Sequence, residues 1–387
     1  MKIPDEWNKK NVDDLFIFTN GNGFKTSDWS NTGLPIIRIQ NLNGSNEFNF
    51  YKGKIKEKWL VNPGQLLFAW AGTRGVSFGP KIWNGPQGVL NQHIYKLDPK
   101  IKSDNRWLYY AIMRVTGIIE KKAHGFKSTL LHVQKSDITN QVIKVPPLPE
   151  QKAIADLLST WDKAIEKTER LIQEKEKWFN ASVQKIISQR CASWSHVKSN
   201  KIFDTITEKK FPNEELLSVT QDRGVIPRSM LAGRVMSPQG TTASYKRIKC
   251  GDFAISLRSF QGGIEYSNYQ GIISPAYTVL RPKIELHTNF YRLFFKSYIF
   301  IEKYLNLAVI GIRDGKQISI PDFLSIKIPV PPLVEQKQIA ETLNIAQQEI
   351  NLLKQLAEKY KTQKRGLMQK VLTGEWRIKP EVVKRYA

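Results

Sequence analysis

The sequence predicts an α+β protein: two mixed α/β globular lobes joined by two long antiparallel helices that form a coiled coil, the whole arranged as a pseudo-twofold internal repeat. Three observations lead there. Val145-Pro146-Pro147-Leu148, Glu150-Gln151-Lys152 and Ile154-Ala155 return 185 residues later as Val330-Pro331-Pro332-Leu333, Glu335-Gln336-Lys337 and Ile339-Ala340. Ahead of each copy lie about 140 residues of short apolar runs punctuated by Gly, Asn and Pro, the pattern of strands and turns. Behind each copy the apolar residues recur at alternating intervals of four and three, a heptad seam.

Taken in chain order, residues 1–144 form a first lobe, with strands expected over Pro35–Gln40, Gln65–Ala69 and Gln92–Leu97 and a helix over Asn105–Thr116. Residues 145–190 form the first long helix, introduced by prolines, whose missing amide donors cost little at a helix start. Its seam is Ile154, Leu158, Trp161, Ile165, Ile172, Phe179 and Ile186. Residues 191–328 form the second lobe, with strands near Asp252–Leu257 and Ala276–Leu280 and a helix near Asn289–Tyr304. Residues 329–376 form the second helix, with the seam Ile339, Leu343, Ala346, Ile350, Leu353, Leu367 and Val371; residues 377–387 are a C-terminal tail. The 185-residue offset runs without a gap to Gln184-Lys185 against Gln369-Lys370, so the two seams share one register. Helices of about 38 residues would be roughly 57 Å long at 1.5 Å per residue. Connectivity requires them to be antiparallel if they pair, because the first ends, and the second begins, at the second lobe. The lobes differ far more than the helices do, as two different readers held in similar frames would.

Lys and Arg number 59 against 35 Asp and Glu, a formal net charge of +24 with pI near 9.8. A surplus this large calls for a polyanion, and nucleic acid is the usual one. The basic residues are spread along the chain, with no polybasic cluster beside an apolar anchor, which speaks against a membrane surface. No apolar run approaches the roughly 18–20 residues of a membrane span, and the polar start Met1–Lys10 does not read as a signal peptide. Cys191 and Cys250 lack metal or redox spacing. A cytoplasmic protein without a disulfide framework is expected.

Catalytic patterns are hard to find. Ser274-Pro275-Ala276-Tyr277 falls short of the Asn/Asp/Ser-Pro-Pro-aromatic motif of N6-adenine methyltransferases by one proline, and no Gly-rich cofactor loop precedes it. Gly21-Asn22-Gly23 lacks the third glycine of a dinucleotide fingerprint, and no phosphate-cradling Gly-Lys-Ser/Thr loop exists. The five histidines have no metal-ligand spacing. Glu174 and Glu176 read as a solvated helix face, and Lys163, Lys167, Lys175, Lys354 and Lys359 as solubilising or phosphate-facing rather than base-specific. The expectation is a chain with no catalytic, cofactor or metal site of its own. Two rival readings are a coiled-coil scaffold with two protein-binding lobes, which leaves the charge unexplained, and a standalone methyltransferase, which the missing motifs oppose.

The repeated Pro-Pro-Leu-x-Glu-Gln-Lys-x-Ile-Ala at 146–155 and 331–340 carries a resemblance, together with Leu367-Met368-Gln369-Lys370 and Leu372-Thr373-Gly374-Glu375-Trp376. The chain resembles the specificity (S) subunits of type I restriction-modification systems, over essentially its whole length. It departs from the pattern at Ser188-Gln189-Arg190, where the family often has Thr-Gly. The resemblance implies that each lobe is a target recognition domain for one half of a split, asymmetric site on double-stranded DNA. It implies that the helices are conserved spacers that set the gap between half-sites and dock two methyltransferase (M) subunits, which methylate adenine at N6. S-adenosylmethionine, ATP and Mg would then belong to partners, the ATP to a separate restriction and translocation (R) subunit.

Base edges are read best by Arg, bidentate to guanine, and Gln, bidentate to adenine. In the first lobe the candidates are Arg38 and Gln40, which alternate with Ile37 and Ile39 and so would share one side of a strand, with Arg74 in a Gly-flanked turn, Gln92, and Lys127 after Gly125. In the second they are Arg223 and Arg228 around Gly224, Arg258 and Gln261 before Gly262-Gly263, and Arg313 and Lys316 in Gly311–Lys316.

Overall fold

The computed structural model describes residues 6–122, 130–231, 242–256, 263–310 and 317–387. The chain forms two compact units, Met1–Thr168 with Leu356–Ala387 and Glu169–Gln355. The long helices are Leu148–Arg190 and Leu333–Val371, of 43 and 39 residues, and both contribute a segment to each unit. No helix among the described residues is long and apolar enough to cross a membrane.

In the first unit the strand Asn8–Asn11 pairs antiparallel with Val142–Val145, so the lobe begins and ends at the root of the first long helix. An antiparallel sheet runs in the order Phe16–Asn20, Ile94–Pro99, Leu66–Ala69, Gly79–Ile82. Its side chains alternate between two cores, as the pleat requires. Leu66 and Phe68 face the helix Asn105–Lys122, meeting Trp107, Leu108, Ile112 and Val115, whereas Leu67 faces Ile37, Val61 and Trp83. A second four-stranded sheet, Phe50–Tyr51, Leu34–Ile37, Gly88–Leu90 and Leu60–Val61, lies on that other side and contains one parallel pair.

The second unit repeats the frame. Ser195–Lys198 pairs with Lys327–Val330, and an antiparallel sheet runs Phe203–Ile206, Tyr277–Pro282, Phe253–Ser256, Glu265–Tyr266. Phe253 and Ile255 join a core rich in phenylalanine (Phe203, Phe290, Phe294, Phe295, Phe300), whereas Ala254 faces the opposite side. The second sheet of the first lobe has no four-stranded counterpart here; the described residues form separate two-stranded pairs.

Two local expectations fail for identifiable reasons. The strand expected over Pro35–Gln40 stops at Ile37, and Ile39–Leu42 is a helical turn. Asn41 is responsible: its Oδ1 accepts the Arg38 amide at 2.9 Å, while its Nδ2 donates to the carbonyls of Ser45 and Glu47. A buried Asn that satisfies the backbone in this way favours a turn over a sheet ladder. The helix expected over Asn289–Tyr304 is broken into Thr288–Phe294, a π turn Phe300–Tyr304 and a 3-10 turn Leu305–Ala308. There the buried Ser297 hydroxyl donates to the Phe294 carbonyl and accepts the Phe300 amide, ending one helical segment and starting the next.

The helix segments pair antiparallel within each unit. In the first, Trp161 packs edge-on against Tyr360 with centroids 5.7 Å apart, and Asp162 accepts from Lys364 and from Tyr110 Oη. In the second, Lys175 pairs with Glu349 at 2.8 Å and Arg190 with Glu335 at 2.8 Å. Of the seam residues, Ile154, Leu158, Ile172, Ile339, Leu343, Ile350 and Val371 are buried. Trp161, Ile165, Phe179, Ile186, Ala346, Leu353 and Leu367 are half-buried. Toward the C-terminus of the first helix the buried face rotates by one position, to Val183 and Ile187, and at the end of the second Met368 and, just past the helix, Leu372 are buried beside Val371. There the helix packs on a lobe core as well as on its partner, Met368 and Leu372 in the first unit and Val183 and Ile187 in the second.

Candidate nucleic-acid interface

Backbone hydrogen bonds gather several first-lobe candidates at one edge. Asn22 N donates to Leu90 O at 2.8 Å, Asn91 N to Ile37 O at 3.0 Å and Trp70 N to His93 O at 3.2 Å. These bonds place Arg38, Gln92, Trp70 and the loop Gly21–Gly23 side by side. The loop's glycines are steric: a Cβ on Gly21 would lie 2.0 Å from Asn91 O, and one on Gly23 2.4 Å from Gln92 Oε1. Gly-Asn-Gly thus serves close chain packing beside Gln92. Arg38 is half-buried, donating to Asn49 Oδ1 at 3.0 Å with its guanidinium 5.4 Å from the Trp29 ring. Gln92 is exposed and its amide donates to His93 Nε2 at 3.2 Å.

Gln40 is exposed on the helical turn and does not share a strand face with Arg38. Arg74 is half-buried in the turn after Ala71–Thr73, which Ser77 Oγ closes by accepting Thr73 N at 2.7 Å. Positive φ at Gly75 (68°) makes that turn possible. Sequence reasoning missed the aromatic component of this edge. Trp70 lies between His93 and His132, with centroids 5.2 and 4.7 Å away. The sequence signal is the tryptophan directly after an apolar strand; the histidines read from sequence as polar surface or core residues without metal-ligand spacing. Among the described residues no cluster could hold a metal ion.

In the second lobe Arg223 sits in the turn of the hairpin Leu217–Thr220/Gly224–Pro227 and donates to Met230 O at 3.0 Å. Gly224 takes φ of 72° there. Arg228 opens the 3-10 turn at the hairpin's exit and is half-buried. Lys127, Arg258, Gln261, Arg313 and Lys316 lie outside the described residues. Other basic residues are committed internally. Arg281 binds Asp252 and Glu208, each at 2.7 Å, and Arg247 binds Glu214 at 2.6 Å. Hydrogen bonding to Asp252 holds the Arg281 guanidinium even more firmly protonated than usual. Burial pushes the Glu265 carboxyl up to about 7, against the opposing pull of Lys296. Its Oε2 is buried without a hydrogen-bond partner.

The repeated Glu-Gln also becomes intelligible. Gln151 Nε2 donates to Pro146 O at 2.9 Å, and its Oε1 accepts Asp104 N at 3.0 Å. Gln336 does the same with Pro331 O and His287 N, at 2.8 and 2.9 Å. Glu150 accepts the Trp7 indole at 3.0 Å and two bonds from Arg377, at 2.6 and 2.8 Å. Glu335 accepts the Trp194 indole at 3.1 Å and Arg190 at 2.8 Å. Each helix root is therefore tied to its own lobe and to a residue at the end of the other helix (Arg190) or six residues past it (Arg377).

The helix pair of each unit also carries a groove. In the second unit a groove of about 470 Å³ is lined by Leu171, Trp178, Thr342, Ile345 and Ala346, rimmed by Glu174, Lys175 and Glu349. In the first, a groove of about 490 Å³ is lined by Trp161, Gln363, Gly366, Leu367, Lys370 and Trp376. The 185-residue offset relates Trp161 to Ala346 and Trp178 to Gln363, so the grooves occupy equivalent faces.

Known proteins converge on one family. The model of the type I restriction modification DNA specificity domain matches twice, over residues 4–188 and 193–361. The MjaVIII specificity subunit of Methanocaldococcus jannaschii is 25% identical over 98% of this chain and 95% of its own length. The EcoBI specificity subunit of Escherichia coli is 29% identical over 45% of this chain and 36% of its own. The fold is shared with the S subunit from M. genitalium, at TM-score 0.53 and 18% identity, covering 96% of this chain and 98% of that one. It is also shared with a chain solved in work on the assembly and conformational transition of the type I R-M system. That chain gives TM-score 0.62 at 15% identity, covering 97% of this chain and 100% of its own. Two consecutive matches spanning most of the sequence establish the assignment: this chain belongs to the type I restriction-modification specificity subunits, the DNA-recognition family of those systems.

Proposed function

We propose that this chain reads a bipartite, asymmetric site on double-stranded DNA, one half per lobe, and holds two adenine-N6 methyltransferase subunits and the motor-nuclease subunits in place around it. The observation that carries this reading is the contrast between repeated frame and divergent lobe. Equivalent joints flank two lobes whose edges offer different side chains: Arg38, Gln92 and Trp70 in one, Arg223 and Arg228 in the other. A subunit reading one sequence twice would need no such divergence. The net charge of +24 supports a polyanion as ligand. The two equivalent apolar grooves support two copies of one protein partner, each seated on a helix pair. In this reading the chain contributes no chemistry. S-adenosylmethionine, ATP and Mg belong to the partner subunits, and the complex works in the cytoplasm.

The test is direct. The purified chain should bind duplex DNA with an affinity that falls steeply with salt. It should neither bind S-adenosylmethionine nor methylate. Arg38→Ala should relax one position of one half-site, at a cost of about 1–3 kcal/mol, and Arg223→Ala should affect only the other half. Salt-independent binding, or both substitutions acting on one half-site, would refute the two-reader assignment.

A further inference from the structure

We infer that Glu150 and Glu335 are positioning residues for DNA recognition, each fixing the angle at which a lobe stands on its helix pair and thereby sharpening the gap between half-sites. This inference rests on the bipartite reading above. The two carboxylates are the acceptors at which three pieces of chain converge: the first residues of a lobe, the root of the helix that follows it, and the exit of the other helix. The same three pieces meet in both units, although Trp7 and Trp194, like Arg190 and Arg377, are 187 residues apart while the glutamates are 185 apart. The joint is thus preserved across a two-residue slip in spacing, which marks the contact itself as what is kept.

Apolar packing alone would hold a lobe against a helix without fixing its tilt, because burial is non-directional. Charge-assisted hydrogen bonds from an Arg and an indole N–H constrain direction. Magnitude shows why direction matters. A lobe of about 140 residues has a radius of gyration near 14 Å. A tilt of about 15° over a lever of roughly 15 Å moves its reading edge by about 4 Å, more than the 3.4 Å spacing of base pairs. The two joints are unequally closed. The Glu150 side chain is 3% exposed and takes two bonds from Arg377; that of Glu335 is 25% exposed and takes one from Arg190. The second joint is therefore the one to perturb.

The experiment selects random-sequence duplex DNA with the full-length chain and sequences what is bound, alongside thermal unfolding of the same proteins. Wild type should return two fixed blocks of letters at one gap. Glu335→Gln keeps an acceptor for the Trp194 indole but removes the charge opposite Arg190. It should leave both blocks unchanged and raise the share of sites one base pair off the preferred gap about tenfold. Arg190→Ala, which leaves Glu335 and Trp194 in place, should do the same and serves if Glu335→Gln does not fold. Lys337→Ala, on the same helix turn but exposed, should keep the wild-type gap. A split wild-type motif whose gap stays equally sharp in Arg190→Ala or in a folded Glu335→Gln overturns the positioning role alone. A contiguous wild-type motif overturns the bipartite reading and this inference with it.

Discussion

The two lobes share a four-stranded sheet of equivalent order, yet their remaining strands and exposed edges differ. The joints that hold them, by contrast, repeat in kind: Trp indole to Glu, Arg to Glu, Gln to a proline carbonyl and to a lobe amide. Two sets of constraint act on one chain. A joint must satisfy buried polar groups at a helix root, and few side chains can do so. A reading edge must only be exposed, basic and adaptable, so its sequence is free to diverge. On the proposed two-reader function, what the halves have in common is mechanical and what separates them is recognition.

The largest expected effect tests that division outright. Replacing residues 1–144 with the corresponding lobe of another family member should replace one half-site entirely and leave the other letter for letter. Methylome sequencing of cells carrying the complete system reads both halves at once, and coupled changes in both would break the comparison. A matched four-residue insertion in both helices comes next. It adds about 6 Å of rise and about 40° beyond a full turn, against about 3.4 Å and 34° per base pair. The gap should lengthen by one or two base pairs with the letters unchanged. A folded, assembled insertion mutant that keeps the original gap would show that the helices are not the ruler.

Equivalence of the two frames is sharpened by Leu158 and Leu343, 185 residues apart and both buried where a helix root enters a lobe core. Truncation of either to Ala should cost about 2–5 kcal/mol. Chemical denaturation should return similar values for the pair, and a gap between them of more than about 2 kcal/mol would show that the two roots are packed differently.

A smaller effect separates the lobes instead. The strand carrying Glu265 holds the sheet position that Gly79–Ile82 holds in the first lobe, which has no carboxylate. Because the folded state raises the Glu265 carboxyl from an ordinary value of 4.5 to about 7, folding favours its proton. That contribution is complete below about pH 4.5 and is lost as pH rises through about 7. Its size is on the order of 3 kcal/mol at most. Glu265→Gln should therefore flatten the decline in stability across that window. An unchanged pH profile would mean that Lys296 keeps the carboxylate ionised throughout.

Part of this was legible in the residues, and the physical reason is locality. The heptad seam depends on spacing within one helix, and every named seam position is buried or half-buried. The repeat is a property of the string itself, and +24 is a sum over it. The local rules failed where a single polar side chain redirected the backbone, as Asn41 does beyond Ile37 and Ser297 does inside the expected helix. Such choices depend on whether a buried amide or hydroxyl finds partners, and those partners are set by packing.

What the sequence determined alone is the plan: two lobes, two matched helices, one basic surface charge and membership of a family. Only the tertiary structure decided that Glu150 meets Trp7 and Arg377, residues 143 and 227 positions away, or that Gln92, Arg38 and Trp70 share an edge beside a glycine loop. Periodicity records which face of an element is buried. It carries no record of which distant donor a buried acceptor will find, because that pairing exists only once the chain has closed on itself.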